Sequence, residues 1–178
     1  MANKLFVGIL MGSDSDLAVM KDAAILLEDF GISAEVKVLS AHRTPDQVVE
    51  YVHDAEKRGA RAFIGAAGMS AALPGTIAAH TALPVIGVPL SSANSAGGGI
   101  DAILSVTQMP PGVPVACVAL NGARNAGILA AEIIGSGDRE IHEKVVAYKK
   151  KLEDDAIAKS QKIEKTGFQR YLEGKGPL

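Results

Sequence analysis

A histidine and an arginine stand side by side in a polar stretch, residues 40–45, that reads Ser-Ala-His-Arg-Thr-Pro. A histidine can move protons near neutral pH, and an arginine can hold a phosphate through its planar guanidinium. His42 and Arg43 are therefore candidates for proton transfer and anion binding at one site. For an isolated histidine, a structural role such as capping the next helix is the more common explanation.

The segments on either side place this pair at the end of a strand. An alternating apolar run from Ala34 to Leu39 precedes it, and an amphipathic run from Asp46 to Arg58 follows it, which predicts a strand, a loop and a helix. Thr44 suits the N-cap position and Pro45 suits the first helical turn. The pair is thus expected at the carboxyl end of a strand, where open parallel sheets bind ligands.

A second polar loop has the same position between a strand and a helix. Residues 12–16 read Gly-Ser-Asp-Ser-Asp, after a continuous apolar run from Leu5 to Leu10 and before a helical pattern that ends at Gly31. Backbone N–H groups at a helix N-terminus attract anions, and Gly12 permits close approach of a ligand. Helix capping also explains Ser and Asp here, and taken alone the loop favours capping. It lacks the lysine of a P-loop and the glycine spacing of a dinucleotide loop.

The remaining chain continues the alternation of strands and helices. Five such units predict a doubly wound parallel sheet with right-handed crossovers. Residues 68–75 are mostly small, which suits either a backbone wall against a flat ligand or tight helix–sheet packing. Residues 89–99 form a long Gly/Ser-rich loop of the kind that is usually functional. The further predicted strands are Ala62–Ala67, Pro84–Val88 and Val115–Leu120, and the further helices are Thr76–Thr81, Ile100–Val106 and Asn121–Ile134.

The C-terminal part of the chain has a different pattern. From Asp138 to about Lys165 a charged helix is predicted, with a narrow apolar stripe formed by Ile141, Val145, Tyr148 and Leu152. Such a stripe could contact a neighbouring subunit or pack on its own domain. Because no repeat or linker is visible, one domain is predicted over residues 1–178, with a core at 4–135 and a helical arm at 138–178.

Composition excludes several classes of protein. The chain has 178 residues, a formal net charge of -2 and one cysteine, Cys117. A near-neutral charge gives no basic surface for nucleic acid, and no apolar run is long enough to span a membrane or to form a signal-peptide core. Cys117 has no partner for an internal disulfide or a zinc site. A cytoplasmic protein with no metal, no nucleic acid partner and no membrane partner is expected.

Taken together, the motifs resemble the N5-carboxyaminoimidazole ribonucleotide mutase family of purine biosynthesis. The resemblance rests on the two polar loops, on Leu73-Pro74-Gly75, on residues 84–89 and on Gln108-Met109-Pro110, and it runs from about residue 7 to residue 134. It implies a flavodoxin-like, three-layer α/β/α enzyme with a parallel sheet and a long C-terminal helix. It also implies a homo-octamer that uses no metal and no organic cofactor.

The resemblance implies a role for each residue of the polar loops. Ser13, Ser40 and Arg43 would hold the phosphate of the ribonucleotide substrate, and Asp16 would bind the ribose hydroxyls. Gly12 would belong to the same substrate-binding loop. In IMP biosynthesis, the reaction so implied moves a carboxylate from the exocyclic nitrogen of the aminoimidazole to ring carbon C4, which gives 4-carboxy-5-aminoimidazole ribonucleotide.

His42 would carry the proton in this reaction, and the backbone at Gly68 would lie beside the imidazole and the carboxyl group. Cleavage of the carbamate releases CO2, which C4 must attack before it escapes, and C4 then loses a proton. One group that titrates near neutrality can perform both proton transfers. A closed and oriented pocket makes the step effectively unimolecular, and a mobile loop at residues 90–99 would suit that demand.

One segment departs from the family pattern. Many bacterial members read Gly-Gly-Ala-Ala-His-Leu-Pro-Gly where residues 68–75 read Gly-Met-Ser-Ala-Ala-Leu-Pro-Gly, so the family's second histidine is Ala72 here. A sister class that carboxylates aminoimidazole ribonucleotide directly with CO2 resembles this chain at Ser70 and Ala72, but it usually carries Lys in place of Arg43. The mutase is the favoured interpretation and the direct carboxylase is the alternative.

A non-enzymatic flavodoxin-like module is a distant alternative. A receiver domain needs an aspartate at the end of the third strand, where this chain has Ala66-Ala67-Gly68. A flavin carrier usually stacks aromatic side chains on its cofactor, and the two polar loops contain neither Trp nor Tyr.

Overall fold

A five-stranded parallel sheet forms the centre of the computed structural model, which describes residues 5–174. The strand order is β2-β1-β3-β4-β5, and every neighbouring pair runs parallel. This is the flavodoxin-like order, so the predicted fold class is confirmed. The strands are β1 (Phe6–Met11), β2 (Ser33–Val38), β3 (Ala60–Gly68), β4 (Val85–Leu90) and β5 (Ala116–Cys117).

Helices cover both faces of the sheet. One face packs against α1 and α5, with α6 outside them, and the other packs against α2, α3 and α4. Strands β1 and β4 are buried along their whole length, which explains why their sequences are continuously apolar. The helices are α1 (Leu17–Asp29), α2 (Pro45–Lys57), α3 (Leu73–Ala78), α4 (Ile100–Thr107), α5 (Ala123–Gly135), α6 (Arg139–Thr166) and α7 (Phe168–Glu173).

The small residues between β3 and α3 serve two purposes. Ala71 is buried, and a Cβ at Gly75 would lie 3.2 Å from the side chain of Met109, so close packing explains these two. Gly68 and Ala72 instead line the main cleft described below. Close packing also applies to Gly68, where a Cβ would lie 3.0 Å from the carbonyl oxygen of Leu90, so both explanations hold at that residue.

Helix α3 begins earlier than predicted. It includes Leu73, Pro74 and Gly75, which the sequence pattern placed before the helix, and it ends at Ala78 rather than at Thr81. A proline is tolerated in the first helical turn because its missing N–H would have no partner there. The Pro-Gly pair therefore lies inside the first helical turn and not before the helix.

The fourth and fifth strands also differ from their predicted bounds. β4 extends to Leu90, so that Pro89 lies within the strand, whereas β5 has only two residues instead of six. The carbonyls of Gly87 and Pro89 accept hydrogen bonds from Val118 N–H and Asn121 N–H, so both residues direct their backbone toward β5. Because Pro89 has no N–H to donate, the ladder between β4 and β5 is interrupted there.

Helix α6 has an N-terminal half that buries one face against the domain and a C-terminal half that is exposed. Ile141 and Val145 are buried, and the ring of Tyr148 packs edge-on against Phe30 with centroids 5.5 Å apart. From residue 151 to the end of the helix every side chain is exposed. The first part of the apolar stripe therefore packs on its own domain, and at a rise of 1.5 Å per residue the helix is ~40 Å long.

Gly167 interrupts the helical arm, as predicted, with a φ of 78°. The predicted start of the core at residue 4 and the predicted end of the arm at residue 178 lie outside the described residues. Within residues 5–174, no helix is both long enough and apolar enough to cross a membrane.

Candidate active site

The carboxyl edge of the sheet contains a cleft of about 480 Å³. The segments that follow β1, β2, β3 and β4 line it, as expected for a parallel sheet. The structure brings every predicted site residue to this one cleft, and their chemical roles stay predictions. These lining residues are Gly12, Ser13, Asp16, Ser40, His42, Arg43 and Gly68.

The loop after β1 is held by its own side chains. Ser13 is the N-cap of a short 3-10 turn, and its hydroxyl accepts the N–H of Ser15 at 3.3 Å. The carboxylate of Asp16 accepts the Ser13 N–H at 3.0 Å, which completes a capping box. The capping role considered for this loop is therefore present. It leaves Ser13 and Asp16 in fixed positions on the cleft wall.

The surroundings of Asp16 raise the pKa of its carboxyl group above the ordinary value. Burial is the largest cause because it removes water from the charged form, and the nearby carboxylate of Asp14 adds to it. The Ser13 N–H and the guanidinium of Arg43 act in the opposite direction. A carboxylate that is poorly hydrated in this way gains more from hydrogen-bond donors on a ligand than an exposed one does.

Thr44 closes the loop that carries the histidine. Its hydroxyl accepts the Ser40 N–H at 2.9 Å and donates to the Ser40 carbonyl at 3.1 Å. The Ser40 hydroxyl in turn accepts the N–H groups of His42 and Arg43, each at 3.3 Å. Thr44 occupies the N-cap position of α2, as predicted, but its side chain makes no capping bond to the helix.

The imidazole of His42 is exposed in the cleft and makes no hydrogen bond with any residue between 5 and 174. It neither caps α2 nor packs in the loop, so the structural explanation considered for an isolated histidine is not what the structure shows. Both ring nitrogens are open to the cleft and to solvent. A ligand bound there could exchange a proton with either of them.

Arg43 connects the two polar loops. Its Nη2 donates to the carbonyl of Gly12 at 2.5 Å, across 31 positions of sequence. This bond directs the guanidinium toward the loop after β1, and a guanidinium has five N–H donors in all. Other donors therefore stay available for an anion. Apart from its chain neighbours, a Cβ at Gly12 would meet no atom of residues 5–174 within 4 Å, so there is open space beside this glycine.

The end of β3 forms the opposite wall. A Cβ at Gly68 would lie 3.0 Å from the carbonyl oxygen of Leu90, so only glycine fits without a shift of β4. Met69, which follows, adopts a left-handed backbone with a φ of 55° and exposes its side chain. Ser70 and Ala72 also line the cleft. Ala72, where the resemblance places a second histidine in many bacterial members, therefore lies in the cleft wall.

Some lining residues had no individual prediction. Ser91, Ser92 and Asn94 belong to the Gly/Ser-rich loop, whose length alone suggested function. Asn121, which bonds to this loop, was predicted as the start of α5 but lies before it with a φ of 58°. The Asn-Gly pair at residues 121–122 is a turn signal that could have corrected this boundary.

The sheet order and the cleft at its carboxyl edge define a flavodoxin-like α/β protein with a candidate ligand site between the strand-end loops. A family model described as AIR carboxylase matches residues 6–155. The chain belongs to this AIR carboxylase family. The match confirms the family that the motifs predicted.

Several relatives match over nearly the whole chain. A Thermotoga maritima protein named N5-carboxyaminoimidazole ribonucleotide mutase is 52% identical, over 95% of this chain and 98% of the relative. The protein of that name from Pyrococcus horikoshii is 49% identical, over 96% of each chain. Phosphoribosylaminoimidazole carboxylase of Saccharomyces cerevisiae is 47% identical over 97% of this chain, but the match spans only 30% of that protein.

A solved structure shows the same architecture. The crystal structure of Treponema denticola PurE superposes with a TM-score of 0.80 at 33% sequence identity, and it covers 89% of this chain and 98% of that one.

Proposed function

We propose that this chain is an enzyme, an N5-carboxyaminoimidazole ribonucleotide mutase, which makes it an isomerase of purine biosynthesis. The observation that carries the proposal is the imidazole of His42, which has no hydrogen-bond partner among residues 5–174 and faces a cleft that also contains a guanidinium and a capped serine loop. Relatives with this name are about half identical over nearly the full chain.

The substrate's phosphate is held between the two polar loops. Ser13, Ser40 and Arg43 line the same cleft, and the bond from Arg43 to Gly12 brings the guanidinium next to the loop after β1. A guanidinium and hydroxyl groups are suitable donors to phosphate oxygens. Asp16 accepts the ribose hydroxyls, a role supported by its anchored and poorly hydrated carboxylate.

The reaction needs one proton donor that is also a proton acceptor. The bond between the exocyclic nitrogen and the carboxylate breaks, CO2 is released, and that nitrogen gains a proton from His42. C4 then attacks CO2 to form the new carbon–carbon bond, and the proton that C4 loses returns to His42. The net reaction consumes and produces no proton, so a single imidazole is sufficient.

The backbone at Gly68 forms the wall against which the aminoimidazole lies. Because no side chain projects from this position, the heterocycle and the carboxyl group can approach the strand end closely. The close fit between Gly68 and the carbonyl of Leu90 holds this wall in a defined position. A defined wall keeps C4 and the released CO2 within reach of each other.

Direct carboxylation of aminoimidazole ribonucleotide by CO2 is the second candidate function. Ser70 and Ala72, the two residues that resemble the carboxylating class, both line the cleft. The Saccharomyces cerevisiae relative carries the carboxylase name. Arg43 and the similarity to the mutases over nearly full length favour the mutase.

A paired assay separates the two activities. Purified enzyme is given either the carbamate substrate or aminoimidazole ribonucleotide with bicarbonate, and formation of the C4-carboxylated product is followed. The mutase is expected to use the carbamate at a much higher kcat/KM. A preference for aminoimidazole ribonucleotide with bicarbonate would reverse the assignment, and no product from either pair would reject both functions.

We also propose that the chain assembles as a homo-octamer. The number of subunits comes from the resemblance to the family, and the structure supports assembly through the exposed half of α6. Leu152, Ile157 and Ile163 expose apolar side chains there, together with Phe168 on α7. Light scattering at micromolar concentration is expected to give eight times the chain mass, and a monomer mass would reject the octamer.

A further inference from the structure

The cleft wall formed by residues 91–94 depends on a residue from another part of the chain. Ser91, Ser92 and Asn94 line the cleft, and all three are exposed. The hydrogen bonds within this loop join Ser92 to Ser95 and Asn94 to Ser92, and so do not attach it to the sheet. On its C-terminal side the segment is held where the Ala96 N–H donates to the Asp101 carboxylate at 3.0 Å, and on its N-terminal side its position depends on what holds Ser91 at the end of β4.

Asn121 binds the start of this loop through three hydrogen bonds. Its carboxamide oxygen accepts the Ser91 N–H at 3.0 Å, and its Nδ2 donates to the Ser91 hydroxyl at 2.8 Å. Its own N–H donates to the Pro89 carbonyl at 2.8 Å. The side chain of Asn121 thus holds Ser91, and its backbone holds Pro89, two residues earlier in the chain.

These bonds replace a ladder that Pro89 interrupts. A regular strand after β4 would receive backbone partners from β5, but Pro89 offers no N–H and β5 ends at Cys117. The carboxamide of Asn121 supplies the partner that the backbone of β5 does not. Its left-handed φ of 58° is strained for most side chains, whereas asparagine tolerates this conformation well.

The same turn also contacts the other end of the loop. A Cβ at Gly99 would lie 2.8 Å from the side chain of Leu120 and 3.2 Å from the Cβ of Ser91. Gly99 has a φ of 112°, so glycine is favoured there for conformation as well as for space. Residues 120–121 therefore lie against both ends of the loop that forms the cleft wall.

We propose that Asn121 is a positioning residue that clamps Ser91 and so fixes the wall that residues 91–94 present to the substrate. Without the clamp, the loop would sample other conformations, and only a fraction of the protein would have the wall in place. The apparent affinity for substrate falls by that fraction. The consequence for substrate rests on the proposed function, whereas the clamp itself does not.

Three variants separate the side chain from the backbone conformation. Asn121→Ala removes the carboxamide and adds strain at the left-handed φ, whereas Asn121→Gly removes the carboxamide without adding that strain. Asn121→Asp keeps an acceptor for the Ser91 N–H and can accept the Ser91 hydroxyl proton. Each variant is compared with the wild type by steady-state kinetics with the carbamate substrate and by amide hydrogen exchange of the free protein.

The Ala and Gly variants are both expected to raise KM on the order of tenfold, which corresponds to the loss of two hydrogen bonds. Both should keep kcat within about twofold of the wild-type value, and the pH dependence of kcat should not change, since His42 lies on another wall of the cleft. Exchange of the Ser91 amide should become faster in both variants. Asn121→Asp is expected to restore most of the wild-type KM and protection.

Other outcomes would overturn the clamp. A wild-type KM and a protected Ser91 amide in Asn121→Gly would mean that only the backbone conformation matters. A fall in kcat with unchanged KM, together with a lower melting temperature, would indicate a merely structural role. If the wild type has no mutase activity, the proposed function fails, and Ser91 exchange then decides the clamp by itself.

Discussion

Asp16 and Glu35 are both carboxylates that accept hydrogen bonds, yet their pKa values move in opposite directions. Burial raises the pKa of Asp16, which has only one backbone N–H as a partner among the residues described. Hydrogen bonds from Arg58 lower the pKa of Glu35. The Glu35 carboxylate accepts two guanidinium N–H groups and the hydroxyl of Tyr51 at 3.1 Å.

The difference separates a binding region from a structural one. Glu35 lies on β2 and Arg58 at the end of α2, so their ion pair fastens an edge strand to a helix, and the acceptors of Glu35 are satisfied within the chain. The cleft holds groups whose acceptors and donors are only partly used. Changes in the cleft should therefore alter catalysis and binding, and changes at Glu35 should alter stability alone.

The largest effect is expected for His42→Asn. Loss of the proton carrier should lower kcat by about 10²–10⁴-fold, the usual contribution of general acid–base catalysis. The melting temperature should not change because the imidazole is exposed and bonds to no described residue. Steady-state kinetics, calorimetric titration with the ribonucleotide product and thermal unfolding provide the three measurements. Substantial remaining activity would show that another group moves the proton.

A pair of glycine substitutions tests whether the two cleft walls differ. Gly12→Ala places its Cβ in open space, so the free energy of unfolding should stay within about 0.5 kcal/mol of the wild type. The new methyl group would stand beside the proposed phosphate site, and KM should rise on the order of tenfold because the phosphate is displaced. Denaturant unfolding and kinetics measure the two effects.

Gly68→Ala is the matched variant on the other wall. Its Cβ would lie 3.0 Å from the Leu90 carbonyl, and the required shift of β4 should cost ~1–3 kcal/mol of unfolding free energy. A stability loss of similar size in both variants would contradict the different packing assigned to these two glycines.

Much of the fold, and the place of the two polar loops in it, could be predicted from the sequence. The alternation of strands and helices depends on local periodicity, and the two polar loops each occupy one strand–helix junction, so their place at the carboxyl edge followed from the fold class. The predictions that failed depend on contacts between residues far apart in the sequence. The length of β5 depends on Pro89 in another strand, and the bond from Asn121 to Ser91 spans 30 positions.

The hydrogen bonds that the side chains of the cleft make could not be predicted from the sequence. No pattern indicated that Arg43 would bond to the Gly12 carbonyl or that Thr44 would close the loop instead of capping α2. These contacts form only after two distant loops have been brought together. Residue types and spacing therefore predict which groups share an edge, and packing decides which of them stay free for a ligand.

Asp16→Asn is expected to weaken binding while it stabilises the fold. The raised pKa means that the unfolded chain loses this proton first, so the wild type loses stability as pH rises from 3.8 through the higher folded pKa. Asparagine has no such cost and can still accept the Ser13 N–H. The difference in melting temperature should therefore grow in favour of the variant as pH rises from 3.8 through the folded pKa of Asp16.

The same variant should raise KM because asparagine offers the ribose hydroxyls a neutral acceptor instead of a charged one. Thermal scans across the pH range and steady-state kinetics check the two effects. A variant that is less stable at every pH would contradict the assigned cause, which is burial of the charge.

The smallest effect is expected for Glu35→Gln, which tests the structural side of the comparison. The side chains of Glu35 and Arg58 are 34% and 40% exposed, so solvent screens their attraction, and the loss at neutral pH should stay below about 1 kcal/mol. Because folding lowers the pKa of Glu35, the wild type has a higher free energy of unfolding than the variant above pH 4.5, the ordinary pKa of this group. This difference disappears as pH falls through the folded pKa.

Denaturant unfolding at several pH values measures this loss, and kcat/KM at neutral pH should equal that of the wild type. The control is Glu143→Gln, which removes the partner of Arg139 in an exposed i,i+4 pair on α6, where even less stability is at stake. A clear change in kcat/KM for Glu35→Gln would mean that the ion pair on β2 also positions the loop after that strand. The separation between binding region and structural region would then fail at β2, the strand that precedes the His42 loop.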